Sequence, residues 1–345
     1  MSKKIYSLMA ILIIAAVVLA ACGSSDETAS GDYKVCEVTD LGGVDDKSFN
    51  QLAWKGVTDA EEQLGIDGSV LESQQQTDYE TNINAFVEEG CDMILSIGFL
   101  LADATAAAAE ANPEIKFGIV DVDWVAADNV VGIMFKSDQG AFLAGYVSAA
   151  TTQTGKIGTY GGVPLPSVTA FMDGFYMGAM YYNEVKGTSV EVVGWDPANP
   201  DEGLFTNNFE SLEDARNLSI TMIDEGVDIL LGVGGPIGLG SGAAAQERGD
   251  VWIIGVDADW SQTAPEYADV ILTSILKKVD VGVFNTIKAA SEGNFEPGNT
   301  IYTLADGAIG LAGIENFSAE LQAEVNTLIE GIIAGDIQTS PTPAE

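Results

Sequence analysis

Short apolar segments alternate with amphipathic helical segments along the chain, and this alternation constrains the fold more than any other feature. Strand patterns separated by helix patterns occupy Tyr33–Val38, Ser69–Glu72, Met93–Ile97, Phe117–Val120 and Val130–Ile133. A second series, from a helix at Ala141–Thr151 to a strand at Val251–Val256, repeats this order. Strands that are connected through helices pair in parallel, with the helices covering the sheet. The sequence therefore predicts an α/β protein with parallel sheets.

A short internal echo supports two related halves. Residues 117–124 read FGIVDVDW and residues 253–260 read IIGVDADW, so that both segments end a strand pattern in Asp-x-Asp-Trp. Open α/β sheets bind ligands outside the carboxyl ends of their strands. Asp121 and Asp257 are therefore expected to face the space between the halves.

The segment from residue 40 to residue 54, DLGGVDDKSFNQLAW, is predicted to be a ligand loop. It follows the first strand pattern, turns at two glycines and enters a helix that Ser48 is expected to cap. Asp40 thus lies at the end of a strand, and the Phe49 ring opens the helix at the mouth of the same crevice, where it can stack on a flat ligand. The dipeptide Asp45-Asp46 is interpreted as a solvated turn.

The amino terminus has the pattern of an export signal. Two lysines precede an apolar run that ends in Leu-Ala-Ala-Cys22, which resembles a bacterial lipobox. Residues 1–21 are expected to be removed, Cys22 to be lipidated, and residues 22–32 to form a polar tether. The predicted location is the extracytoplasmic side of the cell membrane, where the lipid on Cys22 anchors the protein.

Charge and composition exclude several classes of function. The formal net charge is −38, with 14 basic residues, 52 acidic residues and no histidine. Nucleic-acid binding requires clustered lysine and arginine, so no nucleic-acid partner is expected. The absence of histidine removes the commonest zinc ligand and the commonest general base. No metal site and no cofactor are predicted.

Two further cysteines remain open to two interpretations. Cys36 lies in the first strand pattern and Cys91 begins another. If the first and third strands are neighbours in the sheet, the two residues could approach and form a disulfide outside the cytoplasm. Alternatively, both are small buried side chains.

Other motifs suggest enzymes only weakly. Residues 238–243 approximate a dinucleotide fingerprint, but they lie late in the chain, and a glycine-rich loop that brings backbone N–H groups near a polar ligand explains them equally well. The pairs Asp121/Asp123 and Asp257/Asp259 could chelate a cation or act in glycoside hydrolysis. The favoured interpretation is that one carboxylate of each pair binds ligand hydroxyls and that the other is solvated. Lys277 is either a surface charge or a donor to the ligand.

Several blocks of sequence, in order, resemble the basic membrane protein (BMP, PnrA/TmpC-like) family of ABC-transporter substrate-binding lipoproteins. They are the loop from residue 40 onward, Gly98–Asp121, Gln139–Tyr146, Gly155–Gly162, Phe171–Ala179, IIGVDAD and LTSILKKVD. The resemblance covers nearly all of the chain after the signal. It implies a type I periplasmic-binding-protein fold, in which two Rossmann-like lobes with parallel sheets are joined by three crossovers.

The resemblance also implies roles for individual residues. Asp40, Asp257 and Lys277 match ribose contacts, Phe49 matches a ring that stacks on the base, and Asn50 follows it in the same motif. Asp121 matches a contact to the base edge, and Gly234 or Gly235 matches a glycine whose backbone approaches the sugar. The second stacking ring is either Phe205 or Phe209, because this segment departs from the family pattern.

The function implied by the resemblance is a binding protein without enzymatic activity, which delivers a nucleoside, preferably a purine nucleoside, to an ABC transporter permease. A monomer is expected. Its lobes are predicted as residues 33–138 with 259–294, and residues 139–258 with 295–345. The alternatives are a binding protein for a simple sugar or another small ligand, a sensory or surface lipoprotein, and a nucleoside hydrolase.

Overall fold

The computed structural model describes residues 33–341, which form two sheets of six strands each. The first sheet has the order β11-β5-β4-β3-β1-β2 and the second β12-β10-β9-β8-β6-β7. The second sheet therefore repeats the first strand for strand, with β6 to β10 in the places of β1 to β5. The first sheet comprises β1 (Lys34–Val38), β2 (Asp67–Leu71), β3 (Met93–Ile97), β4 (Lys116–Val120), β5 (Val130–Phe135) and β11 (Gly298–Tyr302).

The second sheet is also parallel except at one edge. It comprises β6 (Lys156–Gly161), β7 (Glu191–Val193), β8 (Ile229–Val233), β9 (Trp252–Asp257), β10 (Ile271–Lys277) and β12 (Ile309–Leu311). Only β12 runs antiparallel to its neighbour, β10, among the pairs that the described residues form. The predicted α/β class and the internal duplication are confirmed.

Helices connect the strands, as the sequence pattern predicted. Those of the first half are α1 (Phe49–Leu64), α2 (Asp78–Glu89) and α3 (Ala102–Ala111). Those of the second half are α4 (Ser137–Thr151), α5 (Pro166–Lys186), α6 (Leu212–Asp224), α7 (Gly238–Arg248), the short α8 (Trp260–Thr263), α9 (Val279–Ser291) and α10 (Ala319–Ala334). Within residues 33–341, no helix combines the length and apolar character needed to span a bilayer.

Helix α1 has a face of small side chains that packs against α9. Ala53, Gly56, Val57 and Ala60 are buried on this face, and their spacing of three and four residues is that of one side of a helix. At Gly56, an added methyl carbon would lie 2.6 Å from the carbonyl oxygen of Asp280 in α9. Small residues thus allow the two backbones to approach closely, and this contact fixes the direction in which the first turn of α1 faces.

The chain passes between the two sheets three times, after β5, after β10 and after β11. The predicted lobe boundaries differ from this path at two strands. Strand β10 was expected in the first lobe but pairs with β9 in the second sheet, and β11 was expected in the second lobe but pairs with β5 in the first. Strand pairing depends on which sheet edge is open, and the sequence pattern of a single strand does not encode this.

Strands β1 and β3 lie side by side, and a disulfide joins Cys36 to Cys91, whose Cα atoms are 6.1 Å apart. Of the two interpretations of these cysteines, the structure therefore has the covalent one. The signal segment 1–21, Cys22 and the tether 22–32 lie outside the described residues.

Candidate functional site

A cleft lies between the carboxyl ends of the two sets of strands, and loops from both sheets line it. The cleft encloses about 620 Å³ of space, part of it open to solvent. Among the predicted site residues, those that line it are Asp40, Phe49, Asn50, Asp121, Phe209, Gly234, Gly235, Asp257 and Lys277.

The first wall of the cleft is the predicted ligand loop after β1. One carboxylate oxygen of Asp40 accepts hydrogen bonds from the Gly42 backbone N–H at 3.1 Å and from the Asn50 side-chain amide at 2.7 Å. The same Asn50 amide also donates to Asp46 at 3.1 Å. The loop is therefore braced by side-chain hydrogen bonds that converge on Asn50.

Two expectations for this loop are wrong. Asp46 is not a solvated turn residue, because its side chain is only 4 % exposed and accepts hydrogen bonds from the backbone N–H groups of Ser48, Asn50 and Gln51. Ser48 occupies the N-cap position of α1 but makes no side-chain cap. Its hydroxyl lies 2.9 Å from both the Val256 carbonyl oxygen and a carboxylate oxygen of Asp257. Asp46 therefore caps the helix, which leaves Ser48 free to contact the other lobe.

The two echoed aspartates occupy equivalent places in the two sheets. Asp121 follows β4 and Asp257 ends β9, which holds the same position in its own sheet. Both have a left-handed backbone, with φ of 66° and 65°. Aspartate tolerates the left-handed conformation better than most residues, and residues other than glycine that adopt it are often found at ligand sites. The short sequence echo thus corresponds to a shared backbone turn that directs both carboxylates to the cleft.

Lys277 lies at the end of β10 and supplies a positive charge inside the cleft. It is 2 % exposed, and its ammonium nitrogen lies 2.5 Å from a carboxylate oxygen of Asp121. The nitrogen also lies 4.7 Å from the centroid of the Phe49 ring and 5.9 Å from that of Phe171. The surface-charge interpretation is wrong. Because Lys277 belongs to the second sheet and Asp121 to the first, their ion pair bridges the lobes.

The structure separates the two candidates for the second ring. Phe209 lines the cleft, and its ring fills space left by two glycines: an added methyl carbon would lie 2.3 Å from the ring at Gly162 and 2.7 Å at Gly234. Phe205 packs edge-on against Trp195 with ring centroids 6.0 Å apart, outside the set of residues that line the cleft. Of these two rings, only Phe209 therefore lines the cleft.

Burial shifts the proton affinities of the cleft carboxylates. The pKa of Asp40 is raised to about 6, mainly by burial, against the hydrogen bonds from Asn50 and Gly42 that lower it. The pKa of Asp257 is also raised to about 6 by burial, against the attraction of Lys277 and the hydrogen bond from Ser48. Burial raises the pKa of Asp46 as well, opposed by the N–H groups that it accepts. The cleft is therefore crowded with acceptors and poor in positive charge.

Residues of the motifs that suggested enzymes are exposed, cap a helix or allow helices to pack. Asp123 is exposed, and Asp259 caps α8 by accepting from the Ser261 N–H at 3.0 Å, so neither joins its partner aspartate at the cleft. In the glycine-rich segment 238–242, an added methyl carbon at Gly240 would lie 2.7 Å from the Leu212 carbonyl oxygen, so this glycine serves helix packing. Among residues 33–341, no group of three or more acidic, histidine or cysteine side chains is arranged to hold a metal ion.

Sequence reasoning missed several lining residues besides Asp46. From the first lobe they are Gly98, Phe99 and Leu100, and from the second Leu165, Ser167, Val168, Phe171, Val233, Pro236 and Val256. All but Phe171 lie at the carboxyl end of a strand or between it and the first turn of the next helix, and this position was a signal available from the sequence. Phe171 lies in the second turn of α5 and is 3 % exposed, so its pattern is that of an ordinary core residue.

Comparison with known proteins identifies the family. The family model described as Bmp, the PnrA-like ABC transporter substrate-binding proteins, matches residues 33–341. This chain belongs to that family. It is 35 % identical to the CD4+ T-cell-stimulating antigen of Listeria innocua, over 99 % of this chain and 100 % of that protein. It is 31 % identical to the ABC transporter nucleoside-binding protein BmpA of Lactococcus lactis, over 98 % and 99 %.

The structural comparison agrees with the sequence comparison. A solute-binding protein of an ABC transporter from Aeropyrum pernix superposes with a TM-score of 0.77 at 27 % identity, covering 89 % of this chain and 92 % of that one. The predicted type I periplasmic-binding-protein fold is confirmed. As a member of the Bmp family, the protein is a substrate-binding component of an ABC transporter, a class that works outside the cytoplasm.

Proposed function

We propose that this protein captures a nucleoside, preferably a purine nucleoside, between its two lobes and delivers it to the permease of an ABC importer. The observation that carries the proposal is the composition of the cleft. Phe49 and Phe209 line it from different lobes, together with the carboxylates of Asp40 and Asp257 and the Lys277 ammonium. Flat rings and hydroxyl acceptors in one cleft suit a ligand that has both a base and a sugar.

Each part of a nucleoside has a matching group. The base is aromatic and can lie against the phenylalanine rings, while the sugar hydroxyls donate to Asp40 and Asp257. Lys277 donates to an acceptor on the ligand. The backbone at Gly234, whose φ of 144° is open only to glycine, leaves room for the Phe209 ring, which an added methyl carbon would meet at 2.7 Å. The printed name of the Lactococcus lactis relative supports the same ligand class.

The charge of the cleft favours a nucleoside over a nucleotide. Four aspartates line it, at positions 40, 46, 121 and 257, against one lysine. A phosphate group would add negative charge among carboxylates, with Lys277 already paired to Asp121 at 2.5 Å. Like charges at such distances are repelled strongly where water is excluded.

We infer that the protein reaches its permease as a membrane-anchored lipoprotein, because Cys22 follows an apolar signal pattern and precedes a polar tether. Labelling of cells with a radioactive or clickable fatty acid would detect lipid on the wild-type protein. A Cys22→Ala variant is expected to carry no label.

Isothermal titration calorimetry tests the proposed ligand. Inosine, adenosine and guanosine are expected to bind, the corresponding monophosphates at least tenfold more weakly, and ribose alone more weakly still because it cannot contact the rings. Equal affinity for inosine and its monophosphate would contradict the proposal. Tight binding of a simple sugar would instead favour a sugar-binding protein, and release of free base from inosine would reveal a hydrolase.

A further inference from the structure

Asp46 lies in the ligand loop and lines the cleft, and the function proposed above gives it no role beyond its negative charge. Its carboxylate accepts hydrogen bonds from the backbone N–H groups of Ser48 at 2.9 Å, Asn50 at 2.9 Å and Gln51 at 3.1 Å. The N–H groups of Asn50 and Gln51 are free donors in the first turn of α1, and such donors must be satisfied in every helix. Asp46 therefore fixes the start of α1, and with it the position of Asn50.

Asp46 also determines how the Asn50 side chain is oriented. The Asn50 amide nitrogen donates to Asp46 at 3.1 Å and to Asp40 at 2.7 Å. A primary amide has two N–H bonds, and both are engaged by carboxylates. Turning the amide over would place its carbonyl oxygen against two carboxylates, so only one orientation is stable. The side-chain carbonyl oxygen of Asn50 consequently has no hydrogen-bond partner among the described residues. It is nevertheless buried, because Asn50 is only 1 % exposed.

Asp40 is oriented by the same amide. Its first carboxylate oxygen accepts from both Gly42 and Asn50, whereas its second oxygen makes no hydrogen bond to residues 33–341 and lies toward Gly98. Two residues that line the cleft thus each keep an acceptor without a partner among the described residues, the second carboxylate oxygen of Asp40 and the side-chain carbonyl oxygen of Asn50. An acceptor that stays buried and unpaired lowers the affinity for any ligand that cannot donate to it.

We propose that Asp46 is a positioning residue that, through Asn50, orients the Asp40 carboxylate and so sets the preference of the cleft for ligands with hydroxyl donors. This inference rests on the proposed nucleoside function. It differs from a purely structural role in what it predicts. Loss of a helix cap lowers stability and weakens all ligands alike, whereas loss of positioning weakens ligands with hydroxyl donors more than those without.

The test compares inosine with 2′,3′-dideoxyinosine, which has the same base but lacks the sugar diol. Calorimetry on the wild-type chain gives the affinity for inosine divided by the affinity for 2′,3′-dideoxyinosine, which is called the ratio below. The Asp46→Asn variant keeps the shape but weakens the acceptor, and we expect its ratio to fall on the order of tenfold. The matched control is Asp45→Asn, since Asp45 is the exposed neighbour with the same charge, and its ratio should equal that of the wild type.

A second variant separates capping from positioning. Asp46→Ser retains an oxygen that can accept from the Ser48 N–H two residues on, and so keep this turn of the loop, but it is too short to hold the Asn50 amide. Its ratio should fall as in Asp46→Asn even where thermal unfolding shows that stability is kept. In an Asn50→Ala background, Asp46→Asn should change the ratio no further, because the connecting amide is gone. An unchanged ratio in both Asp46 variants, or equal weakening of both ligands, would overturn the proposal.

A measurement without ligand keeps this test independent of the proposed function. The Asn50 side-chain amide gives its own pair of nitrogen-correlated proton signals in nuclear magnetic resonance. We expect slow solvent exchange of these protons in the wild type and in Asp45→Asn, and much faster exchange in Asp46→Asn. Retained protection in Asp46→Asn would overturn the role of Asp46, whereas failure of the wild type to bind either inosine compound would overturn the proposed function.

Discussion

At the scale of single residues, Phe205 and Phe209 are equal candidates in sequence but have different surroundings. Phe209 lines the cleft beside Gly234, while Phe205 packs against Trp195 behind it. We therefore expect Phe209→Leu to lower nucleoside affinity by about 1–3 kcal/mol, as loss of aromatic stacking on a base does, with little effect on stability.

The matched variant is Phe205→Leu. It should leave affinity nearly unchanged but lower the melting temperature, because it removes an edge-on aromatic contact from the core of the second lobe. Calorimetry and thermal unfolding of both variants decide which of the two rings contacts the ligand. The opposite pattern would return the stacking role to Phe205.

The raised pKa values of Asp40 and Asp257 predict a pH dependence of binding. Ligand hydroxyls donate to ionised carboxylates, and both groups have a pKa of about 6. Affinity should be constant well above pH 6 and fall as the pH drops through 6, because protonation then competes with the ligand. The contribution of these two groups to folding stability depends on pH in the opposite direction. An acid whose pKa is raised in the folded protein stabilises it least at high pH, so the contribution of both groups declines as the pH rises from about 4 to above 6.

Calorimetry at pH 7.5, 6.0 and 5.0 measures this dependence. In Asp40→Asn, affinity should be lower at pH 7.5, and the remaining dependence on pH should be weaker because one of the two titrating groups is absent. The Asp45→Asn variant serves as the control with an exposed carboxylate removed. Affinity that does not change between pH 7.5 and 5.0 would contradict the assignment of these two carboxylates to the ligand.

The burial of Asp46, which sequence reasoning missed, has a physical reason. Asp45-Asp46 was predicted to be a solvated turn, but the free N–H groups of α1 draw one of the two aspartates inward. Conversely, Asp121 and Asp257 were predicted because the strand that precedes each fixes where it lies. Position along a strand is local information, whereas the choice between two neighbouring side chains depends on donors supplied by the folded helix.

At the scale of elements, the order of strands and helices followed from apolar periodicity, but the sheet membership of β10 and β11 did not. Strand β10 is apolar enough to pair in either sheet, and β11, four of whose five residues are exposed, has little apolar pattern to indicate a sheet, so the choice depends on the path of the chain between lobes. Strand β12, with three residues, is too short for any periodicity to reveal. Periodicity therefore predicts elements well and predicts lobe boundaries poorly wherever a chain crosses more than once.

The disulfide between β1 and β3 gives the prediction at this scale. Cys36 and Cys91 are 55 residues apart in sequence, and closing a loop of that length stabilises a protein by about 4 kcal/mol through the entropy of the unfolded chain. Reduction should therefore lower the free energy of unfolding by up to this amount, measured with urea in the presence and absence of dithiothreitol.

The Cys91→Ala variant is the control. It should match the reduced wild type and should not respond to the reductant. Although β1 and β3 lead into the loops that carry Asp40 and Gly98, their backbone pairing remains in reduced protein that still folds, so nucleoside affinity should be nearly unchanged. A reductant effect of the same size in Cys91→Ala would show that stabilisation comes from elsewhere.

At the scale of the whole molecule, polar contacts between side chains of the two lobes connect them beside the cleft. Lys277 pairs with Asp121 at 2.5 Å, Ser48 contacts Asp257 at 2.9 Å, and Lys47 pairs with Glu266 at the surface. The surface pair is worth little because water and salt screen it. The buried pair matters more, since removing one partner leaves the other charge buried without compensation. The relative position of the lobes is therefore coupled to the groups that face the ligand.

Replacement of Lys277 tests this coupling. In Lys277→Met, Asp121 would lose its partner at 9 % exposure, and opening of the lobes would return that carboxylate to water. We expect a larger radius of gyration by small-angle X-ray scattering and a loss of nucleoside affinity of about 2–5 kcal/mol. The exposed neighbour provides the control, because Lys278→Met removes the same charge away from the cleft and should change neither quantity. A Lys277→Met protein that binds weakly but scatters like the wild type would assign Lys277 to ligand contact alone, with closure driven by the remaining contacts.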